Sequence, residues 1–323
     1  MFEANRSKTM LVAAALSLSL MLSACTSAPG GTDEPAGANN RPAVTQQTEA
    51  ATKEFAHNGG KSTVPVEPQR IVADWFYGEL LALGVRPIGY PEYLLSEYPY
   101  AGSQGTEGLG EAVEQIVELN PDLIVSTWDD SYAQYSKIAP SVLLQLNDGL
   151  IDKMRVIGEL VNKQEAAEAW IASFEQKLQA ARQRLAEQIA PDTTVTILGI
   201  FQKDVKVYSN KNMGGDVLYN LLQVNPPQKV QEMFSESQAW NQAVSFEALP
   251  DIAGTHIILT TYDPDGSGRE TLEQLEQSQI WNNLDAVKNN RVHKLAFYDL
   301  FFDDPIAIEH QIEMLTDMII AAQ

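Results

Sequence analysis

Apolar residues in this chain occur either in short unbroken runs or in longer stretches where they recur at every third or fourth position. Runs of the first kind predict buried strands, and stretches of the second predict helices with one buried face. The first strand is Arg70-Ile71-Val72-Ala73 after Pro68, followed by a helix through Leu80, Leu81 and Leu83 that Gly84 stops. A second short strand at Pro87-Ile88-Gly89 leads into Tyr90, Tyr93, Tyr98 and Tyr100 and a glycine-rich stretch ending at Gly110. A helix carrying Val113, Ile116, Val117 and Leu119 breaks at Asn120-Pro121, and buried strands follow at Asp122–Ser126 and Ser141–Leu144. Strands alternating with helices predict an α/β lobe.

Between Glu165 and Ile189 the apolar positions Trp170, Phe174, Leu178, Ala181, Leu185 and Ile189 predict one long amphipathic helix. At about 1.5 Å per residue it is long enough to run from one lobe to another; periodicity alone equally allows a helix packed on a single sheet. A second α/β region follows, with a strand from Thr194 to Phe201, a hairpin arm at Val205 to Tyr208, a helix from Gly214 to Leu222, and strands at His256–Thr260 and Arg291–Leu295. Pro305 opens a terminal helix, since its missing amide is harmless in a first turn.

The two regions echo each other at a constant offset. Glu114-Gln115-Ile116, Leu119, Pro121 and the strand from Asp122 align with Glu247-Ala248-Leu249, Ile252, Gly254 and the strand from Thr255. An acidic residue in a first turn is favoured by the helix dipole, which accounts for either glutamate alone. The repeat places both at equivalent points of two lobes.

The amino terminus has a different pattern. Arg6 and Lys8 precede an apolar run from Met10 to Leu22, too short for the roughly 20 residues of a membrane span. A charged n-region, an apolar h-region and small residues before a cut site describe a secretory signal over residues 1–24. Leu22-Ser23-Ala24-Cys25 resembles the lipobox of bacterial lipoproteins, in which cysteine is acylated by palmitate-like chains and becomes the new amino terminus; the alternative is an unmodified cysteine in a secreted protein. Thr26 to about Lys53 has hardly any large apolar residue, so residues 25–60 are assigned to a lipidated flexible tether.

Composition narrows the partners. The 323 residues carry a net charge of −21 and no long basic run, which argues against nucleic acid and against binding anionic headgroups other than through an anchor. With one cysteine no intramolecular disulfide can form, so stability rests on core packing. The histidines at 57, 256, 293 and 310 stand singly, without metal-ligand spacing, and no nucleophile-base pair or carboxylate dyad is recognisable. Gly105–Gly110 lacks phosphate-loop spacing and reads as a loop, and Asp263–Gly268 lacks the distal glutamate of a calcium loop and reads as a turn. The informative residues are aromatic. Trp75 and Phe76 follow the first strand, Tyr93 the second and Trp128 the strand ending at Ser126; Tyr262 follows the strand ending at Thr260, and Tyr298 and Phe301 follow Leu295. Ligands of α/β sheets bind beyond the carboxyl ends of strands, so these positions predict an aromatic-lined cleft.

At these residues the chain resembles the substrate-binding lipoproteins of bacterial ABC importers for iron siderophores, with relatives that carry cobalamin and haem. The likeness runs through Pro68–Val72, Glu79–Val85, Ile116–Val125, Lys137–Pro140, Gly214–Leu218, Ser245–Glu247, Trp281–Val292 and the Asp304-Pro305 step, and is closest to Gram-positive ferric-hydroxamate binders. The resemblance implies an α/β fold of two Rossmann-like lobes, over residues 61–162 and 191–323, joined by one long backbone helix over 163–190. It implies a ferric siderophore as transported ligand in the inter-lobe cleft, no catalysis, no resident cofactor, a monomer, and limited hinge motion at the outer face of a Gram-positive-type membrane. Glu114 and Glu247 match the carboxylates that dock onto the permease of the ABC transporter, and Trp240 matches a family tryptophan. Trp281 also matches one, and is expected in the core. Hydroxamate chelates are neutral or cationic and suit aromatic walls. Anionic catecholate or citrate chelates should select basic residues, for which Lys203, Lys206 and Lys211 are the candidates. The aromatic and arginine that hydroxamate binders present near Lys211-Asn212-Met213 are missing here. Met213 is a candidate axial ligand for the haem or cobalamin alternative, and a surface enzyme on the same scaffold is a further alternative.

Overall fold

The computed structural model describes residues 51–145 and 149–322. The expected signal segment, Cys25 and the tether up to residue 50 lie outside the described residues. Within them no helix is long and apolar enough to cross a membrane.

The fold begins inside the expected tether. Strands β1 (Thr52–His57) and β2 (Gly60–Pro65) form an antiparallel hairpin closed by Asn58-Gly59, a dipeptide suited to a tight two-residue turn. Phe55 and Val64 point into the first core, and Asn58 N donates to Leu143 O at 3.0 Å, docking the hairpin on the amino-terminal lobe. Two well-spaced apolar side chains and one turn thus order a stretch whose composition alone predicts none.

That lobe is built on β3 (Ile71–Ala73), β4 (Gly89–Pro91), β5 (Glu107–Leu109), β6 (Leu123–Ser126) and β7 (Ser141–Leu143), all parallel, in the order β5-β4-β3-β6-β7. The chain winds outward from β3 on one side and then from β6 on the other, so the strand order reverses between these two. Their unbroken apolar runs are buried on both faces, as a helix-covered parallel sheet requires. The second lobe holds β8 (Val195–Phe201), β9 (Asp204–Tyr208), β10 (Asn241–Val244), β11 (His256–Tyr262) and β12 (Val292–Ala296), in the order β10-β9-β8-β11-β12. Here β8, β11 and β12 pair in parallel, β9 pairs antiparallel with both β8 and β10, and the order reverses between β8 and β11.

The helix Gln164–Gln188 runs from one lobe to the other. Ala167 and Ile171 lie in the core of the first, and Phe174, Leu178, Ala181 and Leu185 in that of the second. A second element makes the same crossing: in the terminal helix Pro305–Ala321, Ala307 joins the first core, and Ile308, Ile312, Leu315 and Ile319 join the second.

Asp304 starts that helix. Its Oδ1 accepts from Ile306 N and Ala307 N, both at 3.0 Å, and from Tyr98 Oη of the amino-terminal lobe at 2.9 Å. Gly78, in the helix Tyr77–Ala82, is required here, because an added Cβ would lie 2.0 Å from that oxygen. Beside it Glu79 is fully buried, and neither carboxylate oxygen has a hydrogen-bond partner among the described residues. Burial, reinforced by the neighbouring Asp304, pushes its carboxyl up to about 8, so it is held as the neutral acid at neutral pH.

Asp304→Ala removes the cap and leaves the Tyr98 hydroxyl without its partner, and is expected to cost about 2–4 kcal/mol in a urea titration; a loss under 1 kcal/mol would contradict this role. For Glu79 the folded-state pKa lies above the ordinary value of 4.5, so its contribution is full below pH 4.5 and is lost as pH rises toward 8. Glu79→Gln should therefore raise Tm at pH 8–9 and change it little at pH 5, and a variant whose Tm tracks the wild type across that range would contradict the assignment.

Candidate functional site

The amino-terminal sheet ends in a cavity of about 590 Å³ at the carboxyl ends of its strands, lined among others by Asp74, Tyr93, Leu109, Glu111, Trp128 and Tyr135. Asp74 directly follows β3, and its backbone N still donates to Val125 O at 3.1 Å, which holds it in line with the sheet. Its carboxylate bridges the gap between the two central strands: Oδ2 accepts from Ser126 Oγ at 2.6 Å and Oδ1 from Thr127 N at 2.8 Å. Burial pushes this carboxyl up to about 6, against the lowering effect of those hydrogen bonds.

Two aromatic rings stand at the rim. Tyr93, in the short helix Glu92–Leu95, is 67% exposed, and Trp128, just before the helix Asp129–Tyr135, is 56% exposed. Large apolar side chains left open beside a cavity mark a contact surface.

The second lobe contributes an aromatic group at the corresponding strand ends. Phe201 and Tyr262 are register partners at the ends of β8 and β11 and stack with centroids 4.9 Å apart. Phe297, after β12, lies 4.8 Å from Tyr262, while Tyr298 is 6.5 Å from Tyr262 and 5.6 Å from Phe301. Lys206 Nζ sits 4.2 Å above the Phe201 ring. Tyr298 and Phe301 also pack against the amino-terminal core, so this group stands where the lobes meet.

The expected ligand contacts thus separate by place. Tyr93 and Trp128 line the cavity, Tyr262, Tyr298 and Phe301 gather at the junction, and Trp75 packs partly buried against the amino-terminal core. Two expectations are corrected. Phe76 is buried in the amino-terminal core at a φ of 63°, where it turns the chain sharply into the helix Tyr77–Ala82. Met213 is 2% exposed in the core of the second lobe at a φ of 51°, and its sulfur cannot reach a ligand without unpacking that core. Lys203 is exposed at the tip of the β8–β9 hairpin, and Trp240 is 61% exposed just ahead of the edge strand β10. Trp281 is buried in the core. Tyr135, an expected strand-end aromatic, also lines the cavity, whereas Asp74, Phe201 and Phe297 were not among the expected residues. The signal for Phe297 was its position as an aromatic directly after the strand ending at Ala296; Asp74 carries no comparable signal.

Glu114 and Glu247 are both exposed, in the first turns of the helices Val113–Glu118 and Phe246–Ala248 that lead into β6 and β11. A hydrogen bond from the Ser245 side chain holds the Glu247 carboxyl below the usual range.

A family model described as Periplasmic binding protein matches residues 96–298. The chain is similar to the iron(3+)-hydroxamate-binding protein YxeB of Bacillus subtilis, at 32% identity over 97% of each chain. It is also similar to the iron(3+)-hydroxamate-binding protein FhuD of the same organism, at 29% identity over 92% of this chain and 94% of the relative. A solved structure from Bacillus subtilis, a FhuD fold-family periplasmic binding protein component of a Fep/Fec-like ferrichrome ABC transporter, superposes with a TM-score of 0.73 at 29% identity, covering 82% of this chain and 99% of that one.

Because Met213 is a packing residue, Met213→Ala should destabilise the protein by about 2–4 kcal/mol in denaturant. Its absorbance on mixing with hemin should match that of the wild type; loss of a Soret shift in the variant would return Met213 to the ligand.

Proposed function

The chain belongs to the periplasmic binding protein family, whose members bind substrates rather than transform them, and from that premise we propose that it captures a ferric siderophore of the hydroxamate type and delivers it to an ABC permease for iron uptake. The observation that carries this reading is the grouping of aromatic side chains at the strand ends of both lobes, with Tyr93 and Trp128 open at a cavity. A hydroxamate chelate brings its own iron ligands, so the receptor supplies shape and aromatic surface rather than a donor set. The near full-length likeness to two relatives named for iron(3+)-hydroxamate binding supports the same ligand class. The burial of Met213 weighs against haem or cobalamin ligated through that sulfur.

In this reading residues 1–24 direct export, Cys25 carries the lipid, and the following tether keeps the binding lobes near the permease at high effective concentration. The lobes extend over about 61–162 and 191–323 around the connecting helix 163–190, with the hairpin from Thr52 added to the first. Glu114 and Glu247 dock onto basic residues of the permease. Exposed charges of this kind steer and orient an encounter more than they tighten it.

Tryptophan-quenching titrations with ferrioxamine B, ferrichrome, ferric citrate and a ferric catecholate should show saturable binding of the two hydroxamates at concentrations about tenfold or more below those needed for the anionic chelates. Saturation by the anionic chelates alone would move the ligand class, and silence with all four would remove the siderophore reading. Combining Glu114→Ala with Glu247→Ala should reduce iron uptake by cells at least tenfold while leaving chelate affinity within twofold of wild type. Lost affinity would instead put the glutamates in the ligand site.

A further inference from the structure

Two features of the amino-terminal cavity are not explained by a need for aromatic surface. A carboxylate lies at its floor, and among the described residues that line it there is no lysine, arginine or histidine. The wall carries Glu92 and Glu111, which add to the same sign of potential. Asp74 is 6% exposed, and the space it borders is the cavity itself. Ser126 Oγ and Thr127 N occupy one acceptor site on each oxygen, and a carboxylate offers about four in all, so capacity remains for a donor that enters from the cavity. Above it stand the open rings of Tyr93 and Trp128, whose faces attract cations.

Resting on the reading that this cavity receives a ferric chelate, we propose that Asp74 sets its charge selectivity, so that a chelate carrying an ammonium group is held in preference to the same chelate with that group neutralised. The floor carboxylate supplies the counter-charge, and its own burial strengthens the pairing over that of an exposed ion pair. The groups that face Asp74 from the surrounding elements are the hydroxyls of Tyr90, Tyr93 and Tyr135, the side chain of Ser126, and the carboxylates of Glu92 and Glu111 on the wall. Burial, with Asp74 itself adding to the effect, pushes all three tyrosines above their ordinary value, so they stay neutral as pH falls. Lys206, the cation paired with Phe201 in the other lobe, does not line this cavity. Since burial raises the Asp74 carboxyl to about 6, the preference should be present at pH 7.5 and fade as pH falls toward 5.

The test compares ferrioxamine B, which carries a free ammonium, with its N-acetylated derivative in fluorescence titrations of the wild type and Asp74→Asn. The wild type should bind the ammonium form about five- to tenfold more tightly at pH 7.5 and within about twofold at pH 5. Asp74→Asn, which keeps the shape and can still accept from Thr127 N, should level the two chelates at both pH values. If both chelates bind but the variant keeps the wild-type ratio, or the wild type shows no ratio at either pH, the assignment of Asp74 is overturned and the receptor reading stands. Should neither chelate bind the wild type, the receptor reading falls and this assignment with it. The wild-type pH comparison decides the matter even if the variant does not fold.

Discussion

One carboxylate oxygen, Oδ1 of Asp304, makes the contact on which the relation of the two lobes depends. It caps the first turn of the terminal helix through two backbone amides and in the same place receives the hydroxyl of Tyr98 from the amino-terminal lobe. Gly78 lets the backbone of that lobe approach closely enough for the contact to form, and the neighbouring Glu79 is buried so completely that it is held as a neutral acid. A helix anchored at that point must run from the first core into the second, because Ala307 packs in one and Ile308, Ile312, Leu315 and Ile319 in the other. Together with Gln164–Gln188 it makes two crossings between the lobes. Two parallel crossings tied by a buried cap resist the wide hinge opening that a single flexible connection would allow.

A frame of this kind explains where the site is and what it is made of. Each sheet reverses its strand order once, between β3 and β6 in one lobe and between β8 and β11 in the other, and such switch points leave a crevice at the carboxyl ends of strands. Asp74 bridges the first reversal, and Phe201 and Tyr262 stack across the second. The lobes therefore supply different chemistry. The amino-terminal side offers a cavity with an acidic floor and open rings, and the other side a packed aromatic wall with Lys206 set on its edge. A preformed site of this sort loses little freedom on binding, consistent with a receptor that recognises a rigid, pre-chelated ligand.

Much of the frame was legible in the sequence because periodicity reports burial directly. The apolar spacing from Trp170 to Leu185 marks the long helix, the run Leu123–Ser126 marks a central strand, and Pro305 after Asp304 marks the start of the terminal helix. Which elements that long helix joins was not legible, since one amphipathic stripe fits one core or two. The hairpin Thr52–Pro65 was masked by its polar composition, although Asn58-Gly59 is a strong turn signal. The site was read less completely than the fold. Residues after a strand either turn into the core or open to the cleft, and local sequence does not separate these outcomes. Phe76 and Met213 turn inward at positive φ, whereas Tyr93 and Trp128 stay open. Asp74 was not legible, since a lone acid after a strand resembles any loop residue; only the convergence of Ser126 and Thr127 on its oxygens distinguishes it.

In the proposed function a ferric hydroxamate is held between an open cavity and an aromatic wall whose spacing the Asp304 cap maintains. A crystal structure of the protein with ferrioxamine B tests it most directly. The iron chelate is expected in contact with Tyr93 and Trp128 on one side and the Tyr262–Tyr298 group on the other, with the Tyr98–Asp304 hydrogen bond intact. A chelate bound elsewhere, or lobes swung apart with that bond broken, would contradict it.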